Sequence, residues 1–299
     1  MISICIPIYN FDIAPLINEL SKQALSLEEA YEIILIDDAS QLFKEKNRIG
    51  AQGHTLIELN ENVGRAKIRN LFLEHTSFNY LLFLDCDSLI CESDFLQKYI
   101  DEIAQQPAVV CGGRIYRNHP PTKERLLRWK YGVQRESQSA ESRRSAPNQS
   151  FMTNNFLIQK EVLEAIKFDE RIANYGHEDT LFGYELKKKG IEITHIANPI
   201  LNGDLEENAV YLNKTKEGIV NLVKILNFFD YEEGLIKDVK LLKANFQLRP
   251  FKKLILFFFH RFHSNIYERL RSGKVNLYLF DFYKLGFFIT QMELTSKTK

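Results

Sequence analysis

The sequence predicts an α/β protein: a mainly parallel sheet flanked by helices, followed by a C-terminal helical appendage. Three observations predict it. Strand-like and helix-like segments alternate through the first half of the chain. The strand candidates include unbroken apolar runs such as Ile33-Ile34-Leu35-Ile36, as expected of strands buried on both faces. Two of these runs end in paired acids, Asp37-Asp38 and Asp85-Cys86-Asp87, and open sheets of this class bind ligands beyond the carboxyl ends of their strands.

The elements follow in order. Ile2 to Ile6 opens the chain as a strand. Pro15 can start a helix whose Leu16, Ile17 and Leu20 form one stripe. Ile33 to Ile36 is the second strand, and Thr55 to Leu59 a weaker third. Gly64 to His75 is a helix carrying Ile68, Leu71 and Phe72. Tyr80 to Leu84 is a fully apolar strand. Ser93 is a suitable cap for a helix holding Phe95, Leu96, Tyr99, Ile100 and Ile103. Ala108 to Cys111 is a further strand. From Arg117 to Ser150 the chain changes character, and its polar stretch Ser137 to Ser150 reads as a functional or disordered loop. Order resumes at Phe151: Phe156-Leu157-Ile158 is a strand, a helix follows Glu178 and ends before Gly190, and Ile191 to Ile196 alternates as a strand. Helical patterns dominate beyond about Asn208. We expect a first domain over residues 1–228, with halves at about 1–113 and 150–228, and a helical region over 229–299.

Composition narrows the function classes. The 299 residues carry 39 basic and 39 acidic side chains, so no global charge points to nucleic acid. The apolar fraction of 45% with 26% charged residues suits a soluble globular chain. Cys5, Cys86, Cys91 and Cys111 form no CxxC pair, which favours reduced thiols over zinc or disulfides. The N-terminus lacks the pattern of a signal peptide, and the longest apolar stretch, Leu254 to Phe259, is far short of the ~20 residues that span a bilayer. A cytoplasmic location is expected, with the inner face of the cell membrane as the alternative.

Asp85 and Asp87 share a face if the strand geometry continues beyond Leu84. Two adjacent carboxylates repel, and a hard divalent cation relieves that repulsion. A solvated turn is the competing reading of such a DxD, as it is for Asp37-Asp38.

Six pieces taken in order then give a resemblance. Ile4 to Asn10 with its P-x-Y-N turn, Asp37-Asp38-Ala39-Ser40, Asn62-Val63-Gly64 through Arg69-Asn70, Asp85-Cys86-Asp87, Asn155 with Phe156 to Ile158, and Gly176-His177-Glu178-Asp179 together resemble an inverting, metal-dependent family 2 glycosyltransferase, of the kind found in bacterial cell-surface glycan assembly. The resemblance spans roughly residues 2–206 and implies a GT-A-type, Rossmann-like fold. It implies a nucleotide-sugar donor, a UDP-sugar by preference, with Mn2+ or Mg2+ as cofactor. Pro7, Tyr9 and Asp38 would line the uracil and ribose pocket beside Asp37, with Arg69 near the nucleotide. Asp85 would contact ribose or sugar and share the metal with Asp87. Asp179 would be the catalytic base, and Glu178 and Asn155 would serve the acceptor. The acceptor would be a glycan or a lipid-linked hydroxyl.

One position departs from the pattern. A histidine usually completes the metal site about two dozen residues after the E-D helix, and Asn202 stands there instead. Its carbonyl oxygen is a weaker ligand. His195 lies earlier and reads as a packed strand residue in preference to a ligand, and His177 as a loop residue. The departure keeps open a non-catalytic nucleotide-sugar-binding subunit. A nucleotidyltransferase is disfavoured, because Asn10-Phe11-Asp12-Ile13 offers no glycine-rich basic loop.

Two charged regions carry further expectations. Nine basic residues lie between Arg114 and Arg144 against Glu124, Glu136 and Glu141, which suits either a solvated face or an anionic acceptor. Residues 251–274 mix phenylalanine and leucine with lysine and arginine. That suits peripheral contact with a membrane, or else packing on the catalytic domain or on a homodimer partner.

Overall fold

The computed structural model describes residues 1–172 and 176–297. Ten strands form: β1 (Ile2–Ile8), β2 (Tyr31–Asp37), β3 (Thr55–Glu58), β4 (Tyr80–Leu84), β5 (Ser88–Leu89), β6 (Val109–Cys111), β7 (Arg114–Ile115), β8 (Asn155–Gln159), β9 (Thr194–His195) and β10 (Ile200–Asn202). The helices are α1 (Ala14–Ala24), α2 (Lys44–Gly50), α3 (Arg65–His75), α4 (Phe95–Ile103), α5 (Leu126–Tyr131), α6 (Ala140–Arg144), α7 (Lys160–Ile166), α8 (Glu178–Lys188), α9 (Asn208–Phe228), α10 (Glu233–Asp238), α11 (Lys240–Gln247), α12 (Lys252–Arg271) and α13 (Leu277–Lys297).

The chain divides into two units. The first comprises Met1–Arg117, the described part of 136–173, and Glu178–Asp204. It holds a seven-stranded sheet in the order β3-β2-β1-β4-β8-β6-β9. Every pairing is parallel except those of β8, which runs antiparallel to both β4 and β6. A smaller sheet, β5-β10-β7, lies in the same unit. The apolar runs behave as their composition requires: β4 is buried throughout, and so is β2 from Ile33 onward. One apolar cluster joins Ile4, Ile6, Leu16, Leu35 and Leu82, and another joins Cys5, Ile34, Phe72, Phe83 and Phe156. Strand alternation sends neighbouring residues to opposite faces, so each face of the sheet has its own core. The order β2-β1-β4 reverses direction at β1, which leaves a crevice beyond the ends of β1 and β4.

The second unit comprises Asn118–Arg135, the described part of 174–177, and residues 205–297. Its core joins Leu127, Tyr211, Leu212, Phe259, Leu270 and Phe280. The helical unit thus begins at Leu205, earlier than residue 229, because α9 packs on α12, α13 and α5.

Three expectations change. The polar stretch 137–150 forms α6 and a short 3-10 helix, Asn148–Ser150, in place of a loop. The basic residues between Arg114 and Arg144 find partners: Arg114 pairs with Glu136, Arg128 with Glu206 and Arg135 with Asp281, while Arg143 and Arg144 donate to the carbonyls of Gly112, Ile196 and His195. The N-cap position of α4 is Asp94, not Ser93, and its side chain makes no capping hydrogen bond. Only Thr194 and His195 of the stretch 191–196 pair as a strand.

Candidate active site

The site is built where β1, β2 and β4 end. Pro7 occupies β1 opposite Ile36, and Tyr9 follows with its ring exposed. The turn after it is laced to the acid loop: the Asn10 N–H donates to Ser40 Oγ (2.8 Å), and Gln41 and Leu42 donate to Asn10 Oδ1 (2.7 and 3.0 Å). Asp37 and Asp38 are buried and serve this scaffold. Asp37 Oδ1 accepts from the Ser40 N–H (2.7 Å). Asp38 accepts from the N–H groups of Val63 (2.6 Å) and Gly64 (3.2 Å). Gly64 has φ 84°, a conformation open to glycine, and it lets the chain turn into α3 against that carboxylate. Burial raises the pKa of Asp38 despite these bonds. Both acids therefore shape the walls of the crevice through backbone bonds.

Asp85 lies just beyond β4, and its carboxylate meets two arginines. Arg69 Nη2 is 2.7 Å from Oδ1 and Arg65 Nη2 is 3.4 Å from Oδ2. Burial pushes the Asp85 pKa up, but Arg65, Arg69 and Arg114 outweigh it and hold it below the ordinary value. Arg69 itself is 1% exposed and pairs with Asp85 as a buried counter-ion. Arg65 does more. Its Nε donates to Glu178 Oε1 at 2.5 Å, tying the E-D helix to the metal motif.

Glu178 and Asp179 form the first turn of α8, where the helix dipole favours negative charge. Their environments nonetheless diverge. Burial raises the Glu178 pKa, but Arg65 and Arg69 outweigh it and hold the group below its ordinary value. Asp179 is pushed up to about 6, first by burial and then by the charge of Glu178. Its Oδ1 accepts from the Thr180 N–H at 2.6 Å. Two adjacent carboxyls held at different pKa values mark a candidate acid–base site.

Asp87 sits beside β5, which pairs with β10 so that Ser88 faces Asn202. Asn202 Nδ2 donates to Asp87 Oδ2 at 3.3 Å, while Asn202 Oδ1 is buried without a partner. Burial, then the charge of Asp85, raises the Asp87 pKa. An unsatisfied carbonyl oxygen beside a carboxylate that resists ionising suits a hard cation. Among the described residues, no cluster of three or more His, Cys, Asp or Glu side chains could hold a metal. His195 is fully buried on β9, hydrogen-bonded through Nε2 to the Pro147 carbonyl (2.9 Å) and with Nδ1 unpartnered, its pKa lowered by burial to about 4.

Asn155, expected at the acceptor, is a tether in the core. Its amide donates to the carbonyls of Gly113 (3.0 Å) and Asn198 (2.8 Å) and accepts from Tyr99 Oη (2.6 Å). It has no exposed surface. His177 precedes α8 with a left-handed backbone, φ 70°. The bridging role of Arg65 was not foreseen from sequence, although the residue lies inside the Asn62–Asn70 motif; only its contact with Glu178, 113 positions away, reveals it.

A sheet that reverses at β1, with acids at the reversal and a carboxyl pair across from them, defines an α/β enzyme built around a nucleotide-type crevice. The chain belongs to Glycosyl transferase family 2, whose sequence signature matches residues 3–167, and it is a glycosyltransferase. No curated sequence gives a match. Similar solved structures include the 1–349 portion of Staphylococcus aureus TarS, at 16% identity and TM-score 0.52, covering all of this chain and 92% of that one. Another is the mannosyltransferase PcManGT from Pyrobaculum calidifontis in complex with GDP-Man and Mn2+, at 17% identity and TM-score 0.55, covering 95% and 86%. A third is glucosyl-3-phosphoglycerate synthase from Mycobacterium tuberculosis in complex with Mn2+, UDP and glucosyl-3-phosphoglycerate, at 15% identity and TM-score 0.51, covering 75% and 79%. At these identities the likeness is one of fold, and that fold is GT-A type.

Proposed function

We propose that this glycosyltransferase moves a sugar from a nucleotide-diphosphate sugar, with UDP as the preferred nucleotide, to an acceptor hydroxyl with inversion. The observation that carries the reading is the divided carboxyl pair: Glu178 is held ionised by Arg65, and Asp179 beside it titrates near 6. A base with that pKa is ionised at neutral pH yet retains driving force to take a proton. In this mechanism the acceptor oxygen attacks the anomeric carbon as Asp179 takes its proton. The bond to the diphosphate oxygen breaks on the opposite face, which inverts the centre.

Asp87 and Asn202 would hold the metal, with Asp85 beside them, and diphosphate oxygens and water would complete its shell. When bound, Mn2+ or Mg2+ supplies positive charge to the departing diphosphate. Asp85, fixed by Arg69, keeps an ionised carboxylate for the ribose or sugar hydroxyls, and exposed Tyr9 offers a ring for the base. Support for a nucleotide-sugar donor also comes from the fold: two similar structures hold GDP-Man or UDP together with Mn2+. The acceptor we favour is a glycan or lipid-linked hydroxyl of cell-surface polysaccharide or glycolipid synthesis, on the strength of the sequence resemblance.

Metal-dependent hydrolysis across a panel of sugar nucleotides tests the reading. Turnover of at least one donor, lost on chelation, supports it. Tight donor binding without turnover of any donor would favour a non-catalytic subunit.

A further inference from the structure

We infer that the outer face of α12 is a docking surface for an anionic lipid bilayer. The helix carries two apolar stripes. Phe259, Ile266 and Leu270 point into the core of the helical unit. They are held there by close packing on α13, where Gly286 lies so near the Phe259 ring that an added Cβ would clash. At 3.6 residues per turn, Leu254, Phe257, Phe258 and Phe262 fall within a separate arc of about 140°. These four are left outward: Phe257 is 65% exposed and Leu254 is 54% exposed. Phe251, just before the helix, and Phe246 on α11 extend the exposed apolar surface. Phe257 packs on Phe258 and Phe258 on Phe262, with ring centroids 5.5 and 6.4 Å apart, so the aromatics contact one another instead of being covered. A run of exposed phenylalanines on one helix is a feature that marks an interaction site.

Charge selects the occupant. From Lys240 to Lys274 the chain has nine basic residues and one acid, Glu268, in a protein with no net charge. Glu268 is itself bound to Arg271 at 2.7 Å. A second copy docking face to face would oppose this cationic surface with itself, because a two-fold interface brings the same patch together. An anionic bilayer complements both properties: the aromatics enter the headgroup boundary while lysine and arginine meet the phosphates. Among the described residues no helix is long and apolar enough to cross a membrane, so the contact is interfacial.

Sedimentation of the full chain with vesicles of phosphatidylglycerol and phosphatidylcholine, compared with phosphatidylcholine alone, tests the inference without any catalytic readout. Its failure would therefore leave the proposed chemistry untouched. Binding to the anionic vesicles is expected, weakened roughly tenfold or more by Lys253→Glu with Arg261→Glu, since each basic residue near the surface contributes to attraction. Phe257→Ser with Phe258→Ser should release the protein from vesicles while keeping its thermal transition, because both rings face outward. Equal binding to neutral vesicles, no binding at all, or binding that survives loss of the two phenylalanines would overturn the inference. So would a dimer in ultracentrifugation that the phenylalanine variant dissociates.

Discussion

Arg65 Nε lies 2.5 Å from Glu178 Oε1, although 113 positions separate the two residues. The same guanidinium reaches Asp85, so one cation serves the metal motif and the E-D helix. Arg65→Gln should lower transfer sharply and cost about 1–3 kcal/mol of stability, because it leaves the buried Glu178 without its counter-ion. Thermal unfolding and donor turnover measured together check this. Unchanged values in both would remove the bridge from the account.

The raised pKa of Asp179 has a consequence for stability. The unfolded chain releases this proton near pH 4, the folded chain near 6. Between those values the folded state binds more protons, so stability contributed by this group falls as pH rises and stays low above about 6. Asp179→Asn should therefore stabilise the fold at pH 7 by about 1–3 kcal/mol and leave it unchanged below pH 4. Denaturant unfolding at the two pH values tests the sign, and a variant less stable than wild type at pH 7 would refute it. In wild type, kcat/KM should fall as pH drops through about 6, because the base becomes protonated.

Asn202→His should tighten Mn2+ binding. An imidazole nitrogen is the stronger ligand, and the orphaned Oδ1 shows that this side chain already faces an unmet need. His195→Ala should leave metal affinity alone, since the ring is fully buried on β9 with Nε2 bound to Pro147. Manganese titration followed by electron paramagnetic resonance decides between them. A loss of affinity in His195→Ala with no gain in Asn202→His would reverse the assignment.

Asn155→Ala should destabilise the protein by about 2–4 kcal/mol, because three buried hydrogen bonds vanish and the Gly113 and Asn198 carbonyls lose a donor. Its effect on transfer should follow the loss of fold. A folded variant with a selective rise in acceptor KM would restore the acceptor role.

The sheet was legible because apolar runs such as Ile33–Ile36 and Tyr80–Leu84 are the signature of strands covered on both sides. The acids at strand ends were legible for the same reason, since a buried run must end before charge begins. What escaped was long-range pairing. Nothing near Arg65 in sequence announces Glu178, and nothing in Asn155 separates a tether from a sugar contact until Tyr99, Gly113 and Asn198 surround it. Residues 137–150 carry the polarity of a loop, which local composition equates with solvation. Arg143 instead spends its donors on the carbonyls of Gly112 and Ile196, a partnership that local composition does not encode. The antiparallel placement of β8 was equally invisible, since a buried strand reads the same in either direction.

The central claim is that Asp179 is the base of a nucleotide-sugar glycosyltransferase. Its most direct test is turnover of the best donor from the panel, at saturating donor and Mn2+, in wild type and Asp179→Asn, with UDP affinity measured on both proteins. The variant should keep UDP affinity, because asparagine retains the shape of Asp179 and its bond from the Thr180 N–H. Its turnover should fall by roughly 10²–10⁴-fold, the usual contribution of a general base. A variant that binds UDP normally and turns over near the wild-type rate would contradict the claim.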